Sequence, residues 1–357
     1  MQKVQLESKD LLNALVIAAK VAPPIEGNVT LIGRDGKFIV NSMSELSRCE
    51  TIVPAKIEGK NFEFALPLEA LRDASKGRDQ LEMSWDGTLL LLRSAGGYKA
   101  DLLTLDPLTR DELDKVECVD ISLSAEQSVW LKSTVATVAL RPTMMMANFM
   151  PVTVKLTAKG AFVACYDNSH MAFVHSAEIH GDLVLTLPLD KMQTILDTFT
   201  GSAIKLRVSS TRVEIRNKLT YIAMNLPAME DEISADDVVD KARLVTKAEG
   251  VSVVVDKVAV TQFLDNARSV MGKERVELIV QAGSDKLKLA VKTVRGNVSA
   301  IAKAKTKKGV DFKIDLDYFD ELVRKTRGAE LSLSVVGEDF ISSKFEGGVA
   351  LVTMNQD

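Results

Sequence analysis

Short runs of alternating apolar residues repeatedly give way, in this chain, to apolar residues at helical spacing. In FALPLEALRDA (64–74), Phe62, Phe64 and Leu66 alternate, and Leu68 and Leu71 follow at the spacing of one helix face. In LTLPLDKMQTI (185–195), Leu183, Leu185 and Leu187 alternate before Leu189, Met192, Ile195 and Leu196. Both phrases place a proline, Pro67 or Pro188, at the expected first helical position, where a missing N–H costs nothing. A third copy, FKIDLDYFDELVRKT (312–326), alternates Phe312, Ile314 and Leu316, offers Asp317 as a cap, and begins a helical face with Phe319 and Leu322. Weaker copies lie at 4–20, 121–138 and 251–270. Each predicts a strand running into a helix.

Further strand patterns follow the helices, as at 79–94, 203–217 and 329–345, with turns marked by Asp86-Gly87, Gly283-Ser284 and Gly337-Glu338. The repeating unit is one strand, one helix and about three strands, used six times. Two units make a domain of about 120 residues, which predicts an α+β chain of three similar domains. The charged, apolar-poor stretches 106–117 and 229–244 read as connectors and set the expected boundaries at 1–117, 118–243 and 244–357.

Composition narrows the function more than the fold. No apolar run approaches the roughly 20 residues of a membrane-spanning helix, and the first ten residues do not have the shape of a signal peptide. Cys49, Cys118 and Cys165 are odd in number and lack CxxC spacing, as expected of a reducing, cytoplasmic setting. The net charge of −4 hides a basic final third, since residues 250–357 carry 17 basic and 15 acidic groups. An acidic chain still binds DNA if its cations share a surface, so net charge decides nothing here.

Nucleotide-binding glycine loops, HExxH and GxSxG are all absent from the sequence. His170, His175 and His180 follow Cys165 at intervals of five, which a metal-dependent enzyme would have to use. On a strand, that odd spacing sends alternate members to opposite faces, so histidines on a half-exposed strand are the simpler reading. The chain does not read as an enzyme, and no metal or other cofactor is expected.

Three domains, each a doubled strand–helix–strands unit, resemble the bacterial DNA polymerase sliding clamp (β subunit) over essentially the whole length. Arg141-Pro142 resembles that family's Arg-Pro, and FVACYDNSHMAFV (162–174) its Ala-Thr-Asp-Gly-His-Arg-Leu-Ala segment. Asp167, Met171 and Ala172 keep the pattern. Tyr166 replaces the Thr, and Asn168-Ser169-His170 stand for Gly-His-Arg. The final GGVALVTMNQD lacks the family's Met-Pro-Met-Arg-Leu close, a divergence that would suit a phage-encoded member. The resemblance implies the DNA clamp fold, with helices inside and sheets outside a ring of two head-to-tail chains. It further implies a processivity factor that encircles duplex DNA without reading bases and tethers a polymerase. Its partners would be double-stranded DNA, a DNA polymerase, a clamp loader and a second copy of itself, in the cytoplasm.

The candidate DNA-facing residues are Lys20, Arg72, Lys76, Arg78, Lys132, Arg268, Lys273, Arg275, Arg324, Lys325 and Arg327. Many sit where a helix C-terminus favours cations anyway, so the macrodipole is an equal explanation for each. Lys303, Lys305, Lys307 and Lys308 either touch DNA or guard a sheet edge. The resemblance also implies a partner-peptide pocket at Tyr166, Met171, Pro227, Met229, Ile341, Ser343 and Met354. One rival reading keeps the fold as a monomeric accessory factor that holds DNA by charge without ring closure. The other is the metal-dependent enzyme.

Overall fold

The computed structural model describes residues 2–107, 117–140, 150–167, 169–199, 201–226, 234–271, 275–345 and 347–354. Six times in them a strand runs into a helix. Gln2–Glu7 leads into α1 (Ser8–Val21), Phe62–Pro67 into α2 (Leu68–Ser75), and Val119–Leu123 into α3 (Ala125–Val138). Leu183–Pro188 leads into α4 (Leu189–Phe199). A further helix, α5 (Ala235–Lys247), precedes the last two junctions, Val251–Asp256 into α6 (Lys257–Met271) and Val310–Asp315 into α7 (Leu316–Lys325). After each of the six junction helices come at least three antiparallel strands. The chain is α+β, as its periodicities predict.

Local chemistry explains where the helices start. Pro67 and Pro188 end their strands, one residue earlier than expected, and the helices begin at Leu68 and Leu189. Pro67 is paired opposite Asn28 in an outermost strand, where a missing N–H removes little from the ladder. The cap of α7 is Asp315 rather than Asp317, its carboxylate accepting from Asp317 N and Tyr318 N at 2.9 and 3.4 Å. Ahead of α3, Ser124 N donates to Gln127 Oε1 (2.8 Å) and Gln127 N donates to Ser124 Oγ (3.1 Å). That is a reciprocal capping box.

Backbone contacts divide the chain into two compact units, one of residues 1–129 with 194–230 and the other of 130–193 with 231–357. The first holds a five-stranded sheet and an eight-stranded sheet. The strand Thr220–Asn225 pairs with Ser47–Val53, so segments far apart in sequence share the eight-stranded sheet. Beneath these strands α1 and α2 bury Leu11, Leu15, Leu71 and Ala74 against Val29, Leu31, Phe38 and Phe64. The second unit carries one twelve-stranded sheet, joined by pairing of His170–Ser176 with Gly348–Thr353.

The stretch 229–244, expected to be a connector, contains most of α5, and the expected boundary at 243/244 falls inside that helix. Ser234 caps it by accepting from Asp237 N, and Val238, Val239, Ala242 and Val245 form its buried stripe. Those four lie at i, i+1, i+4 and i+7 behind a serine cap, an amphipathic signal outweighed by the surrounding charge.

Replacing Ser124 by Ala should remove one half of the capping box and lower stability by about 1 kcal/mol. Chemical denaturation monitored by circular dichroism checks it.

Candidate functional site

The strands Gly160–Tyr166 and His170–Ser176 pair antiparallel, with Tyr166 opposite Met171, Ala164 opposite Phe173 and Phe162 opposite His175. Alternation puts Phe162, Ala164, Tyr166, Met171 and Phe173 on one face. Met171 lies opposite Leu351 on the next strand, which extends that face. The stripe of α5 covers these residues in one buried cluster. Tyr166 and Met171, expected in a peptide pocket, are 4% and 2% exposed. The Tyr166 hydroxyl lies 3.3 Å from Thr153 Oγ1, and burial raises its pKa.

Ile341 and Ser343 lie opposite Val352 and Ala350, which point away from the α5 face. Ser343 Oγ is 2.9 Å from Thr326 Oγ1, at the C-terminal end of α7. Met354 is buried and its N–H donates to Asp339 O at 3.0 Å. The structure thus unites Tyr166 and Met171, and separates Ile341 and Ser343 from them by the thickness of a sheet. Pro227, Met229, Arg141, Pro142 and Asn168 lie outside the described residues.

The histidines do not converge. His170 is buried, with Nδ1 2.7 Å from Asp167 Oδ2 and its ring stacked on Tyr318 at 4.5 Å between centroids. His175 and His180 are exposed. Cys165 is buried, and desolvation pushes its thiol up to about 11 despite a backbone hydrogen bond from Leu140 and the charge of Lys325. A thiol held neutral at pH 7 is a poor nucleophile and a poor metal ligand. Among the described residues, no group of three or more His, Cys, Asp or Glu side chains could hold a metal.

Most of the candidate DNA-facing cations are already engaged. Lys20 bridges to Asp197 at 2.5 Å, Lys76 to Asp73 at 2.8 Å, and Arg72 to Glu69. Arg78 lies over the Tyr98 ring, 3.5 Å from its centroid. Arg268 and Arg324 converge on the buried Asp320 at 2.8 and 2.7 Å, and Arg275 pairs with Asp315. Lys132 is half-buried on α3, and Arg327 is exposed beyond α7. Lys273 lies outside the described residues. Lys325 is different. Its side chain is 8% exposed and its ammonium donates to Thr137 O and Ala139 O at 2.9 and 2.5 Å, where it satisfies the C-terminal carbonyls of α3. The pairs of Lys20, Arg72 and Lys76 lie at the surface, where an ion pair is worth about 0–1 kcal/mol and a phosphate can compete for the cation.

No family model matches the chain, and no curated protein matches it in sequence. Solved structures do match over the full length. The DNA polymerase III β subunit of Thermotoga maritima superposes with a TM-score of 0.77 at 17% identity, covering 100% of both chains. A Pseudomonas aeruginosa sliding clamp bound to griselimycin gives 0.77 at 11%, again covering 100% of both. The Caulobacter crescentus β sliding clamp gives 0.76 at 11%, covering 100% of this chain and 99% of that one. The chain has the sliding-clamp fold.

Within this clamp fold, sequence reasoning missed α5 and the groove beside it. Strand register places Phe162 and Phe173 on one face, and nothing in the sequence showed which element covers it.

Met171→Asp would bury a carboxylate beneath α5 without a partner and should cost on the order of 3 kcal/mol or more. A thermal melt of the variant reads it. Asp167 gives a pH signature. Burial alone would raise its pKa, but His170 and the N–H groups of Ser169 and His170 outweigh burial and lower it. A depressed folded pKa stabilises above the unfolded value, near 3.9, and that contribution is lost as pH falls through the folded one. The melting temperature of Asp167→Asn should therefore fall less steeply than wild type below about pH 4. Parallel melts from pH 7 to pH 2 decide it.

Proposed function

We propose that this chain is a DNA polymerase processivity factor, a sliding clamp that two copies close head to tail around duplex DNA. The observation that carries the reading is the pattern of paired and unpaired strand edges. The six strand–helix–strands units fall into three pairs, which would be the domains near 1–117, 118–243 and 244–357. Counting along the strand registers from each junction helix, Arg48, Met171 and Asn297 occupy the same place in the first unit of each pair. Ala223, Leu351 and Asp101 are likewise equivalent in the second units. Arg48 pairs with Ala223, and Met171 with Leu351. Asn297 and Asp101 are left over.

Their strands have open edges. No described strand pairs with the outer edge of Lys99–Leu103, and Gly296–Thr306 is paired on its second side only at Ala304–Thr306. Joining them between two copies in the register of the other junctions puts Asp101 opposite Asn297, Ala100 opposite Val298 and Lys99 opposite Ser299. Ala100 packs on the core and Lys99 and Ser299 are exposed, so the faces match. Each contact is heterologous, and two such contacts close the assembly.

Function then follows from topology rather than catalysis. The clamp holds DNA through phosphate contacts that read no base, which makes binding weak and salt-sensitive and permits sliding. A polymerase and a clamp loader in the cytoplasm would be its partners. A partner segment reaches Tyr166 and Met171 only if α5 lifts from them.

Lys99→Cys with Ser299→Cys should form a covalent dimer on treatment with diamide. Lys99→Cys with Lys303→Cys, displaced along the strand by roughly 13 Å, should not. Cross-linked after it has assembled on nicked circular DNA, the dimer should stay there in high salt and run off once the DNA is linearised. Monomers in solution with equal retention on both DNAs would favour the open, charge-held accessory factor instead.

A further inference from the structure

Beside α5 the second unit opens into a groove of about 700 Å³, walled by the hairpin around 155–162, by Phe173 and His175, and by the C-terminal half of the helix. Its floor is apolar. Phe162 and Phe173 stack at 6.0 Å, and Ala161, Val239 and Ala242 complete the surface. Small side chains on the helix and Gly160 in the hairpin keep the space open. At Gly160 φ is +137°, and a Cβ would lie 2.4 Å from Ser176 O, so the turn favours glycine for two reasons.

The rim is cationic on both sides. Lys155 and Lys159 stand on the hairpin, and Arg243 and Lys247 on α5. No Asp or Glu lines the groove among the described residues. Asp236 engages Lys155 and Asp240 engages Arg243, but Lys159 and Lys247 are exposed and form no salt bridge with any described residue. An apolar trough between two unneutralised lysines fits one chemistry. Its occupant offers a bulky apolar side chain to the floor and carboxylates to the rim.

We propose that this groove docks a short acidic protein segment with an apolar anchor. The floor argues for a peptide over a nucleic acid. Phe162 and Phe173 are 7% and 6% exposed, so neither ring face is open to stack a base, and the floor offers nothing polar to a sugar or phosphate. Flanking carboxylates meet cations at the margin, where they set orientation and association rate, while the anchor supplies the burial. The site shares no residue with buried Tyr166 or Met171, and α5 need not move for it to fill. It does not depend on the chain encircling DNA.

The test uses the full chain and a fluorescein-labelled hexapeptide, Glu-Asp-Leu-Trp-Asp-Glu, followed by fluorescence polarisation. Saturable binding is expected, weakened about tenfold or more in the double variant Lys159→Glu, Lys247→Glu, whose sites are exposed and outside the core. Thr246→Trp, which fills the trough without changing charge, should weaken it similarly. Thermal melts confirm that both variants fold. Lys-Lys-Leu-Trp-Lys-Lys and the anchorless Glu-Asp-Ser-Ser-Asp-Glu should bind at least tenfold more weakly than the probe. The proposal is overturned by an absence of saturable binding, by unchanged binding in the folded variants, or by equal binding of the anchorless peptide. Tighter binding of hexathymidylate than of the probe overturns it in favour of single-stranded nucleic acid.

Discussion

Every strand in a sheet presents two rows of backbone donors and acceptors, and both rows need partners. In this chain that requirement links segments that are remote in sequence. The final strand of one unit repeatedly pairs with the final strand of a unit from elsewhere in the chain, as Ser47–Val53 does with Thr220–Asn225 and His170–Ser176 with Gly348–Thr353. Four such edges are satisfied internally in two pairings, and among the described residues two remain, at Lys99–Leu103 and along most of Gly296–Thr306. Lysines alternate along the second of these, at 303 and 305, a placement that discourages indiscriminate edge pairing.

The same sheets carry helices on their faces, and there the repeat is broken once. Among the described residues, the segment before Val251–Asp256 is the one that adds an α-helix, α5, to the junction helices. That helix takes the sheet face formed by Tyr166, Met171, Phe173 and Leu351 out of solvent. Its width does not cover the whole face, and the uncovered remainder is the apolar trough between Phe162 and Ala242. An extra amphipathic element thus closes one surface and creates another.

Among the described residues, many of the basic side chains sit in local ion pairs. Arg268 and Arg324 hold the buried carboxylate of Asp320, and Lys325 serves the end of α3, so part of the basic complement of the last helices is structural. Exposed pairs such as Lys20–Asp197 are weak and exchangeable.

The sequence by itself determined the strand-to-helix junctions, their sixfold recurrence and the α+β class, because periods of 2 and 3.6 are written in neighbouring residues. Leu66, Leu187 and Ile314, each two residues ahead of a helix, were legible for that reason. It could not decide what lies across a sheet from what. Tyr166 and Ile341 both read as apolar strand residues, and only register put one beneath α5 and the other on the opposite face. Lys325 and Arg327 read alike as well, yet one points inward to carbonyls 186 and 188 residues away. Pairing over such separations depends on the order in which strands are laid side by side. That order is fixed by the closure of the whole sheet, and no window of local sequence contains it.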